Sequence, residues 1–175
     1  AMIEDILMFS RIESGRIKYV KEEFDAADLV REVAAEWEDI VPDGVTLQTL
    51  AVHDGITINN DRMRVKYIIS QLLGNAMKFT KKGSIVVGVT YRLNSDVAEF
   101  FVLDTGCGIP KEKQDLAFGL FWKDNGFIPG LGLGLHVVKK MAEGMNLRIR
   151  LESKVGFGSR FSVFADGFLK KTEEQ

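Results

Sequence analysis

After Asp104 the chain runs for roughly 25 residues without a hydrophobic period of any kind, although strongly patterned apolar segments flank the stretch on both sides. Compact domains rarely tolerate a connection longer than roughly 12–15 residues unless it works as a lid or a binding loop. The stretch has room for one short helix, near Lys111 to Phe118, and little else. The fold must therefore hold a long working loop between two rigid elements. Chemistry is expected where that loop leaves and rejoins them.

Both ends carry glycine in unusual density. At the first end, Asp104-Thr105-Gly106-Cys107-Gly108-Ile109-Pro110 follows an apolar strand directly. A carboxylate at a strand end can accept a hydrogen bond from a ligand, and the glycines let backbone come close. An aspartate–glycine turn is also an ordinary way to leave a strand. At the second end, Gly130-Leu131-Gly132-Leu133-Gly134-Leu135 leads into a helix. Glycine costs about 1 kcal/mol against alanine inside a helix, so three in alternation are a poor choice for packing alone. A glycine-rich turn into a helix N-terminus instead offers free N–H groups to phosphate oxygens. The segment is neither a P-loop nor a dinucleotide fingerprint, since no Lys-Ser/Thr pair follows and no strand precedes it. A further pair sits in Gly156-Phe157-Gly158-Ser159, where a plain hairpin turn would also account for it.

The rest of the pattern predicts helices against a sheet. Ile3 to Ile12 reads as the end of a helix, with Ile3, Ile6, Leu7 and Phe9 to Ser10 near one side and Gly15 as its stop. Lys18 to Glu22 reads as a short edge strand. Asp25 or Asp28 caps a helix to about Asp39, and strands follow at Val45 to Val52 and Ile56 to Asn59. Asp61 opens the longest helix, whose stripe of Val65, Ile68, Ile69, Leu72, Ala76 and Phe79 ends near Phe79. A hairpin, Ser84 to Leu93 and Val97 to Asp104, precedes the loop. A helix from about Leu133 to Met141 and strands at Leu147 to Ser153 and Arg160 to Ala165 complete the chain. This predicts an α+β two-layer sandwich with a mixed, mostly antiparallel sheet.

One strip of the long helix is polar beside its apolar stripe. Gln71, Asn75 and Lys78 stand at i, i+4 and i+7, so their side chains stack along the edge where a cleft would open. A solvated helix shoulder would look the same. Composition narrows the alternatives. A net charge of −2 and no basic aromatic stripe argue against nucleic acid. A single cysteine, Cys107, rules out an internal disulfide and a thiolate cluster for zinc. No apolar run approaches the ~18 residues of a membrane span, so no membrane contact is expected of this segment; a cytoplasmic setting is also expected, and the parent protein can still be anchored in the inner membrane.

Taken together, in this order and spacing, the segments resemble the histidine-kinase branch of the ATPase superfamily that also holds DNA gyrase, the Hsp90 chaperones and the MutL repair proteins. QLLGNAMKFT, Gln71 to Thr80, resembles the asparagine box, DTGCGIP the first glycine box and GLGLGL the second. Gly156 and Gly158, with Ser159 beside them, fall where a third box belongs, and Phe118 and Phe121 resemble the phenylalanine box. DILMFSRIESG, Asp5 to Gly15, looks like the exit of the second helix of a dimerisation and phosphoacceptor domain.

The resemblance implies the Bergerat ATP-binding fold with an ATP lid. It implies three parts: residues 1–15 as the end of the dimerisation helix, 16–167 as the catalytic domain and 168–175 as a tail. Asp104 would accept from the adenine amino group, Asn75 would ligate Mg²⁺, and Lys78 would lie near the phosphates of ATP. Gly106, Gly108, Ile109, Gly130, Leu131, Gly132, Leu133 and Gly134 would shape the pocket and hinge the lid. The reaction implied is transfer of the γ-phosphoryl group to a histidine on a dimerisation domain, with a response-regulator receiver domain as the next partner.

Three departures mark this chain. Gln71 replaces the usual asparagine, Leu131 the usual threonine, and Gly119-Leu120 the common glutamate-arginine of the phenylalanine box. Three alternatives share the resemblance: an ATP-hydrolysing relative of the gyrase and Hsp90 type, a degenerate nucleotide-binding signalling module, and a small-protein kinase of the anti-sigma or mitochondrial type, against which the FSRIESG exit argues. Glutamine at 71 cannot take a proton from water at neutral pH, which argues against hydrolysis. The two histidines, His53 and His136, both lack the sequence context of a phosphoacceptor, so the acceptor is expected outside this chain.

Overall fold

The computed structural model describes residues 2–51, 54–120 and 132–169. Among them, helix α1 (Met2–Glu13) is followed by β1 (Glu22–Asp25), α2 (Ala26–Glu38), β2 (Val45–Ala51), β3 (Ile56–Asn60) and α3 (Arg62–Phe79). Next come β4 (Gly83–Arg92), β5 (Val97–Asp104), α4 (Lys111–Gln114), α5 (Gly134–Gly144), β6 (Arg148–Lys154) and β7 (Gly158–Leu169). The seven strands form one mixed sheet in the order β1-β3-β7-β5-β4-β2, with β6 also paired to β7. Every pairing is antiparallel except β2 with β4. This is the expected α+β sandwich.

Local chemistry sets the helix starts. The Asp25 carboxylate accepts from the Asp28 N–H at 3.0 Å and the Asp61 carboxylate from the Arg64 N–H at 3.0 Å. Each thereby satisfies one of the donors that a helix N-terminus leaves open. One face of the sheet then buries Ile58, Ile85, Val87, Phe100, Val102 and Val163 against Leu29 and Val33 of α2, Ile68, Leu72 and Leu73 of α3, and Val138 and Met141 of α5. Each such side chain contributes about 1.5–3 kcal/mol when fully buried. Gly74 leaves room for α2 on α3, since a Cβ there would lie 3.1 Å from the Trp37 ring.

Several elements depart from the sequence reading. The first strand begins at Glu22 instead of Lys18, because β1 is defined by pairing with β3, Glu22 opposite Asn60 through Asp25 opposite Thr57. The last strand continues to Leu169, past Ala165, because its far end leaves β5 and pairs with β3. Helix α4 spans only Lys111–Gln114. In α1 the side that packs on the core is Met8, Phe9 and Ile12, while Ile3, Ile6 and Leu7 are 74%, 45% and 54% exposed. The expected apolar side of that helix thus divides between core and solvent.

Candidate functional site

A narrow cleft with about 40 Å³ of free space opens beside α3 at the end of β5. That volume suits a few waters. Asn75, Ala76 and Phe79 form one wall, Asp104, Cys107, Gly108 and Ile109 the loop side, and Leu135, Ser159 and Phe161 the rest. Asn75 and Phe79 stand four apart on one helix face, while Asp104 ends β5 and pairs with Ser159 of β7.

Asp104 is the buried charge of this cleft, 6% exposed. Burial pushes its carboxyl above the ordinary aspartate range, and the N–H groups of Gly106 and Ser159 pull it partly back. The Gly106 N–H donates to Oδ1 at 2.8 Å. Two N–H donors do not exhaust a carboxylate with about four lone-pair sites. A buried acceptor at the end of a cleft can therefore fix a ligand donor with little competition from water.

The glycine turns bring backbone to backbone around that carboxylate. Gly158 has φ +121°, and a Cβ on it would overlap the Asp104 carbonyl and come within 2.9 Å of the Thr105 Cα. Gly108, at φ +74°, lies against the Lys154 carbonyl in the same way. Gly158 is thus more than a hairpin-turn residue, because it lets β7 close on Asp104, whereas a Cβ at Gly156 would meet open space. Ser153 ties the pieces together: its Oγ accepts from the Ile109 N–H at 2.7 Å and bonds the Ser159 hydroxyl at 2.8 Å.

Other expected site residues sit further out. Lys78 is exposed and outside the cleft lining. Gly132 (φ +70°) and Leu133 lead into α5, and Leu133 accepts the Val137 N–H at 2.9 Å. Gly134, the first residue of α5, lies against Gln71, with its Cβ position 3.1 Å from Gln71 Oε1. Phe118 packs edge-to-face on Phe161, centroids 5.9 Å apart. Phe121, Gly130, Leu131, His53 and the 170–175 segment lie outside the described residues.

Gln71 turns away from the cleft toward α1. Its Nε2 donates to Asp5 Oδ1 at 2.8 Å, and the Tyr67 hydroxyl donates to the same oxygen at 2.9 Å. Burial pushes the Tyr67 phenol up, and the Asp5 charge adds to the shift. His136 packs on Phe9, ring centroids 5.9 Å apart, with Nε2 3.9 Å from Glu13 Oε1. It anchors the same helix, as a histidine without phosphoacceptor context would.

The sequence reading left out Ala76, Phe79, Cys107, Leu135 and Phe161 as lining residues. Phe79 had a usable signal, since it stands one turn beyond Asn75. Leu135 and Phe161 look like core positions, and only the sheet register brings Phe161 to the cleft.

The sandwich is the fold that the resemblance of the sequence implies. The family model for histidine kinase-, DNA gyrase B- and HSP90-like ATPases matches residues 60–167, and the chain belongs to this family.

It is homologous to the catalytic regions of sensor histidine kinases. It is 34% identical over 168 residues to the sensor histidine kinase RcsC of Escherichia coli (strain K12), covering 93% of this chain and 18% of that protein. It is 31% identical over 174 residues to the autoinducer 2 sensor kinase/phosphatase LuxQ of Vibrio cholerae serotype O1, covering 93% of this chain and 20% of that one. The chain thus spans about a fifth of the length of these relatives. Full-length ShkA in complex with AMPPNP has the same fold, with a TM-score of 0.86 at 24% identity, covering 98% of this chain and 36% of that one. Among the described residues no helix is long and apolar enough to cross a membrane.

Proposed function

We propose that this chain is the ATP-binding catalytic domain of a two-component sensor histidine kinase. In this reading Asp104 accepts from the adenine amino group, selecting ATP over GTP, and the glycine turns close backbone around the nucleotide. Support comes above all from the convergence of Asp104 and Asn75, from separate elements, on one cleft. Gly106, Gly108, Ile109 and Ser159 surround the aspartate. Phe118, Gly132, Leu133 and Gly134, with Phe121, Gly130 and Leu131, belong to the lid that shuts the site from water.

The donor set fits Mg²⁺ held mostly by phosphate oxygens and water. Asn75 offers one amide oxygen, and among the described residues no group of three or more acidic, histidine or cysteine side chains could hold a metal by itself. Asn75 would ligate the ion, which supplies charge neutralisation along the phosphates. Lys78, exposed on the same helix strip, is free to reach the phosphate end.

In the reaction a histidine nitrogen of the dimerisation domain bonds to the γ-phosphorus while the bond to the β–γ bridging oxygen breaks, releasing ADP. The phosphoryl group then passes to a receiver domain of a response regulator. Residues 1–15 would belong to the phosphoacceptor helices, on the cytoplasmic side of the parent protein. Gln71, bonded to Asp5 instead of facing the cleft, is unsuited to activate water, which disfavours the hydrolase alternative.

The test supplies a phosphoacceptor domain from a related kinase, Mg²⁺ and ATP labelled at the γ position. Label on the acceptor's histidine, at a rate above that of the same mixture without this chain, is expected. Nucleotide binding without labelling would favour the degenerate module, and steady phosphate release without labelling the hydrolase.

A further inference from the structure

Among the described residues a further concavity lies on the other side of the sheet, away from the helices. In β6, Ile149 and Leu151 pack toward the core while Arg148 and Arg150 alternate outward and are exposed. There a groove of about 460 Å³ runs between the tip of the β4–β5 hairpin (Arg92, Ser95, Val97) and Arg148 and Arg150 of β6, with Phe164 of β7 as its floor.

Three guanidinium groups surround the Phe164 ring. The Cζ atoms of Arg92, Arg148 and Arg150 lie 5.7, 5.6 and 5.0 Å from its centroid. The ring face attracts each of them, but three like charges in one groove repel one another. The carboxylates that pair with these arginines offset this incompletely, and the exposed Asp166, which stands opposite Val97 on the same sheet face, forms no ion pair among the described residues. Glu99 is buried and engaged by Arg160 at 3.0 Å and Ser162 at 2.7 Å, leaving Arg92 a distant contact of 3.5 Å. Arg150 meets Glu152 at 3.5 Å, with both side chains about half exposed, a pair of little strength. Arg148 forms no ion pair among the described residues. The groove therefore presents surplus guanidinium donors to solvent, and such planar forks match carboxylates in pairs.

The spacing defines the ligand further. Arg148 and Arg150 stand two residues apart on one strand face, roughly 7 Å along it. An extended chain with acidic residues at alternate positions places its carboxylates at that same interval. Among the described residues β6 pairs only with β7, and the side-chain bond from Gln114 meets it at Ser153, away from the groove. The whole chain is net negative, at −2, so the positive charge is local and suits a short acidic segment more than a long polyanion.

We propose that this groove is a docking site for an extended acidic segment of a partner protein, with alternate carboxylates held by Arg148 and Arg150 and with Arg92 closing from the hairpin. The site lies across the sheet from the nucleotide cleft and does not depend on the function proposed for that cleft.

The test uses a fluorescein-labelled peptide of four Glu-Thr repeats, its Gln-Thr counterpart, and a single-stranded oligonucleotide of equal charge. Anisotropy is followed at low and near-physiological salt. The Glu-Thr peptide is expected to bind this chain, to weaken with salt, and to lose at least about tenfold in affinity when Arg148→Glu and Arg150→Glu are combined. In the unaltered chain, peptide-induced amide shifts are expected at β6, Val97 and Phe164. Thermal unfolding of the double variant checks that it still folds; should it not, the amide shifts decide alone. Absence of binding, equal binding of the Gln-Thr peptide, affinity unchanged in a folded double variant, or shifts confined to residues around Asp104 would each overturn the proposal. Tighter binding of the oligonucleotide would replace the acidic segment by a nucleic acid.

Discussion

Replacing Asp104 by asparagine separates the ligand role proposed for this carboxylate from its structural one. The side chain is 6% exposed, and Oδ1 already accepts the Gly106 N–H at 2.8 Å. Asparagine has nearly the same shape and keeps an oxygen for that bond, so only the charge and one acceptor are lost. Burial holds the carboxyl above its ordinary range, which means that ionisation there is already costly to the fold. The stability change is therefore expected to stay within about 1 kcal/mol, the loss of charge on the N–H contacts being offset by the easier burial of a neutral group.

Binding should respond differently. A hydrogen bond to a charged group is worth about 1.5–3 kcal/mol, and solvent has little access to screen this one. In the proposed reading the adenine amino group would meet an amide N–H₂ in place of an acceptor. The affinity for ADP should fall by about tenfold to 150-fold at 1.4 kcal/mol per decade. GDP should fall less, because a guanine carbonyl can accept from the new amide. Calorimetric titration of both nucleotides, paired with thermal unfolding, reads the two effects. An ADP affinity within about threefold of the parent in a folded variant would refute the assignment of Asp104 to the base.

Other substitutions examine the rest of the site and the sheet. Asn75→Ala should abolish the Mg²⁺ enhancement of ADP binding while leaving metal-free binding within about threefold, as titrations with and without chelator would show. Gly158→Ala forces a Cβ onto the Asp104 carbonyl at φ +121° and should cost at least about 2 kcal/mol in urea unfolding, with weaker ADP binding as well. Glu99→Ala strips the partner of Ser162 and Arg160 and should cost about 2–3 kcal/mol, below the full range for a broken buried pair because Arg160 is 29% and Arg92 56% exposed. Burial opposes ionisation of Glu99, yet Ser162 and Arg160 hold its carboxyl below the ordinary range. Its contribution is therefore complete above the ordinary glutamate value and fades as pH falls through the folded one. Urea unfolding between about pH 3 and 6 should show that acid-side loss in the parent and a smaller one in Glu99→Gln.

Whatever rests on neighbours along the chain is legible from the residues alone. The carboxylate cap at Asp61, the stripe of α3 and the β4–β5 hairpin all depend on local spacing and stand where that spacing puts them, while of Asp25 and Asp28 the structure uses Asp25 as the α2 cap. The aspartate and the glycine turns were legible for the same reason, because a strand end and a helix start are local events. Tertiary structure alone decided what depends on pairing between distant segments. The parallel partnership of β2 with β4 has no trace in either strand, and β7 extends to Leu169 only because β3 lies beside its last residues. Gln71 and Lys78 share a helix strip with Asn75, yet neither lines the cleft: Asp5, 66 residues away in sequence, captures the first by hydrogen bond, and the second stands in solvent. The arginines around Phe164 come from two strands, β4 and β6, and only the sheet register gathers them on the β7 ring. A helix period says which residues share a face. What that face meets is set by packing across the sheet, where the free energy of a contact depends on partners that no local pattern encodes.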